Sequence, residues 1–466
     1  MLICISGSSG VGKTTISRLI SLVLGDKACT LLSGDDLHRW ERMSEMWNIH
    51  THLNPSANDL QNGLTHIRAL LSGQTIERRR YNHDSGKFDD PIVVTPTEHV
   101  IYEGLHALYD PAVIDLSDVC IFVDTDQDLK TEWKIRRDTK KRGYTQSQVV
   151  ETMIRRKKDE ELYISPQKDN ADVVVKFTKN RDGGISLEYV SVTSRGEKLM
   201  ESVKEFYDSM MEFLNLCKWT SMDPSLVQGK GGNISVKSDT GLIIKSSGCR
   251  IVDVNMNHGF CLCGLKSPLP AFSVEEEYED YMLNSIRGGF GRPSMEAGFH
   301  ATMTDRVVVH THPIHLNAIL CSEEAPSILS VLFTDMPYEF IPYHRPGMKL
   351  SNRISSENHI VFLENHGLIV GADTAQQAFE TTERINNRCK RWLSNHVESF
   401  IDMDDDHAVS KPLFPDAAVL PVEMNATNNY ILGLINSACL TPKFLSDGEV
   451  LGLNDMTSEK HRKSTS

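Results

Sequence analysis

Apolar residues in the first part of the chain fall into short runs: LICI from Leu2, ACTLLS from Ala28, HVIYEGL from His99, VCIFVD from Val119 and ADVVVKF from Ala171. Runs of this length read as buried strands. Between the first two lies TISRLISLVL, with apolar positions at helical spacing. Strands alternating with helices predict a mostly parallel sheet covered on both faces, an α/β fold. After the turn cluster KNRDGG and a strand-like stretch ending near Thr193, the grammar changes. From Lys198 the spacing of Leu199, Val203, Phe206, Met210 and Phe213 predicts an amphipathic helix opening a second unit. The expected division is 1–197, 198–425 and a C-terminal extension, 426–466, whose polar end EKHRKSTS is expected to fray.

A length of 466 residues fits two domains or more, because single cores stop growing well below that size. The 40% hydrophobic content marks ordinary globular protein. A net charge of −14 argues against nucleic acid or an anionic membrane as the main partner. The start, MLICISGSSG, lacks the basic segment of a signal peptide, and no stretch approaches the apolar length of a membrane span. The ten cysteines show no framework spacing, and the close pair Cys261 and Cys263 lacks a matching pair. They are expected to be reduced thiols in a cytoplasmic protein.

GSSGVGKT, Gly7 to Thr14, fits the phosphate-binding pattern G-x-x-x-x-G-K-[ST], with a strand before it and a helix after. Backbone N–H groups around Gly7, Gly10 and Gly12 can surround phosphates, Lys13 can reach the outer ones, and Thr14, followed by Thr15, can hold magnesium. The expected cofactor is ATP with Mg2+. The second strand ends in SGDDLHRWER, where Asp35 can take the proton of a substrate hydroxyl attacking the γ-phosphate. His38 and Arg42, one turn apart, can hold an anionic substrate. In WKIRRDTKKRG, Lys134, Arg137 and Lys141 share a helical face suited to gripping phosphate. A merely solvated charged helix would look the same.

SGDDLHRWER, YNHDSG, YEGLHALYD, WKIRRDTKKRG and YISPQKDNADVVV occur in the order found in phosphoribulokinases, so residues 2 to about 178 resemble that family. The resemblance implies Asp35 as catalytic base, with His38, Arg42, Lys134, Arg137 and Arg142 handling phosphate and Glu103 near magnesium. It departs at Lys158, where the family usually has proline, and at Ser9 and Val11. With no cysteine in the phosphate loop, the thiol switch of the plant enzymes does not carry over.

In the second half, VVHTHP places His310 and His312 two apart in a strand, hence on one face and able to share a metal ion. His366 stands at a turn in FLENHGLIV, and Glu296 at a helix start in RPSMEAGFH. Three imidazoles with an open position match a catalytic zinc arrangement, and a nearby carboxylate can move protons. His300, one turn after Glu296, is a rival ligand. QGKGGNISVK and IIKSSGC offer Gly-rich turns that can present N–H groups to phosphate.

These pieces, in order, resemble the class II aldolase/adducin family over about residues 200 to 425, with HTHPIHLNAILCSEE and IPYHRPG closest to the rhamnulose-phosphate aldolase type. The resemblance implies zinc, or another divalent metal, on His310, His312 and His366, and Glu296 as acid/base. It implies substrate contacts at Gly232, Asn233, Ser247, Gly248 and Ser294. Met295 replaces a second serine, which leaves Lys230 or Lys245 as a different phosphate anchor.

Together the two halves imply a bifunctional enzyme. It would phosphorylate the 1-hydroxyl of a ketose or ketose phosphate, then cleave the ketose 1-phosphate to dihydroxyacetone phosphate and an aldehyde. The alternatives are a decarboxylase or dehydratase in the second half, or a non-catalytic nucleotide-binding scaffold with an adducin-like domain. The expected partners are sugars and sugar phosphates, with no nucleic acid and no membrane, in a homo-oligomer.

Overall fold

The computed structural model describes residues 1–181, 183–265, 267–396 and 411–464. The side chain of Lys141 lies outside the described residues. The chain divides into two compact units, Met1–Tyr207 and Asp208–Ser466. The amphipathic helix is present as Glu197–Met222 and spans the division, with Val203, Phe206, Met210 and Phe213 fully buried. Among the described residues no helix is long and apolar enough to cross a membrane.

The first unit is built on a six-stranded sheet. Its strands are β1 (Leu2–Gly7), β2 (Cys29–Ser33), β7 (His99–Glu103), β8 (Val119–Val123), β9 (Val173–Lys179) and β10 (Ile185–Val192), in the order β10-β9-β8-β1-β7-β2. All pairs are parallel except the edge pair β9–β10. Two small ribbons lie between β2 and β7 in the chain: β3 (Ile76–Arg78) pairs with β6 (Ile92–Val94), and β4 (Tyr81–Asn82) with β5 (Lys87–Phe88). Every residue of β1 is buried, as its uninterrupted apolar run requires of a strand covered on both faces. Each Ile or Leu so buried contributes about 1.5–3 kcal/mol relative to exposure. Because β1, β2 and β7 run parallel, their C-terminal ends emerge on one edge of the sheet, where open α/β sheets bind ligands.

The second unit is built on an eight-stranded sheet. Its strands are β11 (Asn233–Ser238), β12 (Gly241–Lys245), β13 (Phe260–Cys263), β14 (Ile286–Gly289), β15 (Val307–Thr311), β16 (Glu339–Ile341), β17 (Ile360–Leu363) and β18 (Gly367–Ala372). The order is β14-β13-β12-β11-β15-β18-β17-β16, antiparallel apart from β16–β17.

Leu393, Phe414, Ile431, Ile435, Leu453 and Met456 form one apolar cluster, so residues beyond 425 contribute to this unit's core. The expectation of a frayed end needs correction. Thr457–Ser464 is a helix in which Glu459 and Arg462 are buried. Polar residues tolerate burial when ion-paired: Arg462 contacts Glu459 and pairs with Asp416, a partner not apparent from the local sequence.

Two candidate active sites

In the first unit, the phosphate loop follows β1 with positive φ at Gly7, Gly10 and Gly12, where only glycine is comfortable. Lys13 folds back so that its Nζ donates to the carbonyls of Gly7 (3.0 Å) and Ser8 (2.8 Å). Thr14 Oγ1 donates to Glu103 Oε1 at 3.2 Å, and Ser17 Oγ to Glu103 Oε2 at 2.9 Å. The structure thus brings the two residues expected to serve magnesium together. Thr15 lies one position on, in the helix Lys13–Leu24.

Asp35 sits just past β2 and accepts a hydrogen bond at 2.9 Å from His83 Nε2. A guanidinium only donates, so the 3.2 Å contact from Arg142 to His83 Nδ1 makes Nδ1 the acceptor and leaves the proton on Nε2. Burial works to raise the Asp35 carboxyl, but the His83 hydrogen bond and the basic groups around it hold it below the usual carboxylate range. A carboxylate kept ionised and aimed is suited to receive a proton from a hydroxyl.

Beside it lies a cavity of about 240 Å³ lined by His38, Arg42, Lys134 and Arg142, together with His52, Tyr81, His83, Arg155 and Arg156. Asp138 is the one carboxylate in its wall. Arg42 is fixed by donating to the carbonyls of His83 and Asp84. Lys134 Nζ reaches Ser9 Oγ of the phosphate loop at 3.2 Å and Asp138 at 3.4 Å, and burial lowers it to about 8. Arg137 contacts Ser9 Oγ at 3.4 Å, which places it at the phosphate loop and not in the cavity wall. Burial drives His38 and His52 down, the latter to about 2, so both rings are neutral donors or acceptors.

In the second unit, His310 and His312 come from β15 and the residue just past it, and His366 from the turn joining β17 to β18. Asn365 takes a left-handed φ of 52° in that turn, a conformation asparagine tolerates. A Cβ on Gly367 would meet the Thr311 carbonyl at 2.3 Å, so glycine there lets His366 approach the other two. One ligand nitrogen from each of the three imidazoles lies within 4.8 Å of the others, and all three are buried.

His310 Nδ1 donates to the Leu368 carbonyl at 2.9 Å, which leaves a lone pair on its Nε2. His312 Nδ1 lies 2.9 Å from Asp416 Oδ2, and a proton held there, toward the carboxylate, would leave a lone pair on Nε2 as well. The two Nε2 atoms face each other at 3.0 Å. Two lone pairs so placed repel unless a cation lies between them. Neutral imidazoles with outward N–H groups anchored on oxygen are the donor set a zinc ion takes. Burial keeps His310 and His366 neutral, well below their ordinary range.

Glu296 completes the cluster. Its Oε1 is 3.5 Å from His366 Nε2, and its Oε2 is 3.6 Å from His310 Nε2. Burial raises its carboxyl to about 6, opposed by the hydrogen bond Oε2 accepts from Asn233 Nδ2 at 2.7 Å. The rival ligand, His300, has both ring nitrogens engaged, Nδ1 with Ser235 Oγ at 2.7 Å and Nε2 with Asn233 Oδ1, and lies outside the ligand group. Gly232, Asn233, Ser247, Gly248, Ser294, Lys230 and Lys245 all line one small cavity with Glu296, His312 and His366. Lys245, lowered to about 8 by burial, donates to the Cys249 carbonyl at 2.7 Å and braces the IIKSSGC turn.

The first unit is thus a P-loop kinase fold with a cationic pocket, and the second a mixed sheet carrying three clustered histidines that could hold a metal ion. Residues 2–182 match the model of the Phosphoribulokinase / Uridine kinase family, and residues 211–393 match the Class II Aldolase and Adducin N-terminal domain. Through its first unit the chain belongs to the phosphoribulokinase/uridine kinase family, and its second half resembles the class II aldolase/adducin family. It joins a kinase-family domain to a class II aldolase-family domain.

A phosphoribulokinase of Synechocystis sp. is 38% identical over 181 residues, which cover 39% of this chain and 54% of the relative. A uridine kinase of Halobacterium salinarum is 36% identical over 175 residues, covering 37% of this chain and 77% of the relative. The chain spans about half the length of these phosphoribulokinases. Among solved structures, an N-terminal class II aldolase domain from Thermoplasma acidophilum is 22% identical, with a TM-score of 0.34, covering 40% of this chain and 93% of that one.

Sequence reasoning missed several residues. His83 lies in the YNHDSG run that carried the family resemblance, but no role was drawn from it. Arg155 and Arg156 drew no role either, and His52 had no motif around it. Asp416, Glu459 and Arg462 reach the metal site from beyond the aldolase-family match and left no local signal.

Proposed function

We propose that the chain is a bifunctional enzyme. Its first unit transfers the γ-phosphoryl group of ATP to the 1-hydroxyl of a ketose phosphate, and its second cleaves a ketose 1-phosphate. The observation that carries the kinase half is Asp35, held ionised by His83, beside a cavity walled by arginine. In this reading Asp35 accepts the proton of the attacking hydroxyl, Lys13 and the loop N–H groups hold the transferring phosphate, and Thr14 with Glu103 serve magnesium. Arg42, Arg142, Arg155 and Arg156 favour a substrate already carrying a phosphate over a free ketose.

The lyase half rests on the three converging imidazoles with Glu296 against them. Zinc, or another divalent ion, held by His310, His312 and His366 would polarise the substrate carbonyl and draw off the charge released when carbons 3 and 4 separate. On cleavage the carbon-4 hydroxyl gives up its proton to a base as its oxygen becomes the aldehyde carbonyl, and Glu296 delivers a proton to carbon 3; synthesis reverses both transfers. Asn233 orients that carboxylate, and the turns at Gly232 and Gly248 present N–H groups to the 1-phosphate, with the Ser247 hydroxyl beside them. Cleavage yields dihydroxyacetone phosphate and an aldehyde, which carries the second phosphate when the ketose entered as a phosphate.

The test supplies ATP, magnesium and a panel of ketoses and ketose phosphates, and follows products by mass spectrometry with and without zinc. Zinc removal should stop cleavage and let a phosphorylated ketose accumulate. Release of carbon dioxide or a dehydrated sugar in place of dihydroxyacetone phosphate would move the second unit to decarboxylation or dehydration.

A further inference from the structure

His312 differs from its two fellow ligands in what holds it. A backbone carbonyl fixes His310, whereas His312 Nδ1 meets the side chain of Asp416, which is 1% exposed. Asp416 uses its other oxygen for Arg462 Nη1, at 2.6 Å. Arg462 also lies 3.7 Å from Glu459 Oε2, one turn earlier in the helix Thr457–Ser464. The backbone is shaped around this line of contacts. A Cβ on Gly231 would fall 2.4 Å from Asp416 Oδ2 and 2.9 Å from His312 Nδ1, so any side chain there would part the pair.

Glu296, Asp416 and Glu459 are buried carboxyl groups that share one cavity wall with Arg462, Lys230 and Lys245. An ion pair serving only to anchor the C-terminal helix would have no need to end on the ring nitrogen of a ligand.

We propose that Asp416 and Arg462 are positioning residues of the metal centre: Asp416 takes the Nδ1–H of His312 and so presents Nε2 to the metal, and Arg462, delivered by the C-terminal helix, holds Asp416 in place. The inference rests on the reading that His310, His312 and His366 bind a divalent ion. It makes the last turns of the chain part of the lyase site, although they lie outside the aldolase-family match.

The experiment is a competition titration of zinc against a chromophoric chelator on the full chain, comparing wild type with Asp416→Asn, Arg462→Met and Arg462→Lys. Asp416→Asn should weaken zinc binding about 10–100-fold, the range for loss of such an outer partner. Arg462→Met should weaken it by a smaller factor, and Arg462→Lys, which keeps a cation beside Asp416, should recover most of the loss. Circular dichroism and the unfolding midpoint identify any variant that does not fold. If Asp416→Asn is such a variant, the contrast between methionine and lysine at 462 decides. Wild-type affinity in Asp416→Asn overturns the inference and leaves the metal reading standing. Lysine no better than methionine removes Arg462 from it. A wild-type chain that takes up no zinc, cobalt or manganese overturns the metal reading itself.

Discussion

The two sites solve opposite problems with similar residue types. The kinase-unit site is roomy: its cavity measures about 240 Å³, and the Asp35 side chain is 37% exposed. The histidine site is small and its key side chains are buried. Its histidines are at most 4% exposed, and its cavity is about 40 Å³. The first must admit a nucleotide and a charged sugar, so it relies on long cationic side chains that reach from helices and loops. The second must hold neutral imidazoles free of water around an ion, so it uses strand residues and a tight turn whose positions the sheet fixes. Electrostatics is weakened by water in the first and little screened in the second. Exposure therefore decides which substitutions matter most in each.

The largest contrast should come from the ligands. His310→Ala or His312→Ala should empty the metal site, detected by metal analysis, and lower cleavage of a supplied ketose 1-phosphate by at least ~10³-fold, while ATP-dependent phosphorylation continues. Loss of both activities together would break the division into two centres.

A mirror-image loss is expected from Asp35→Asn. Phosphorylation should fall about 10²–10⁴-fold with nucleotide binding kept, and cleavage of the supplied ketose 1-phosphate should be unaffected. Near-normal phosphoryl transfer would take Asp35 out of the mechanism.

Arg156→Ala sharpens the comparison at the level of substrate. Losing one charged hydrogen-bond donor to a phosphate costs about 1.5–3 kcal/mol, so KM for a ketose phosphate should rise roughly 10–150-fold with kcat much less affected. An unchanged KM would point to an unphosphorylated sugar.

The smallest effect concerns pH. Burial lowers Lys134 to about 8, so in the free enzyme it loses its charge as pH rises through that value. The kcat/KM for phosphorylation should decline above about pH 8, and Lys134→Arg, charged throughout, should remove that decline. A limb unchanged in the arginine variant would assign it to another group.

How much of each site was legible follows from how each is built. GSSGVGKT and SGDDLHRWER are contiguous, because one strand end and its loop perform one task. The parallel grammar of the apolar runs implied that those loops share an edge. His310 and His312 were legible from strand periodicity, and His366 from its turn between apolar runs. His300 stood as a rival fourth ligand, since one helical turn from Glu296 says nothing about where a ring points. Its bonds to Ser235 and Asn233 come from another strand. Asp416 and Arg462 lie farther still from any motif.

The sequence by itself determined the two units, the phosphate loop, the acidic residue after the second strand and the three histidines. Each of these depends on local spacing, and spacing along the chain sets which side chains share a face. Tertiary structure decided which nitrogen of His310 is free, why Asp35 stays ionised, and that a polar tail is buried against Asp416. Those outcomes depend on hydrogen bonds and desolvation between residues far apart in the chain, such as His83 with Asp35 and Arg462 with Asp416. Only folding brings such partners within a few ångströms and, around Asp416, removes the water that would screen them.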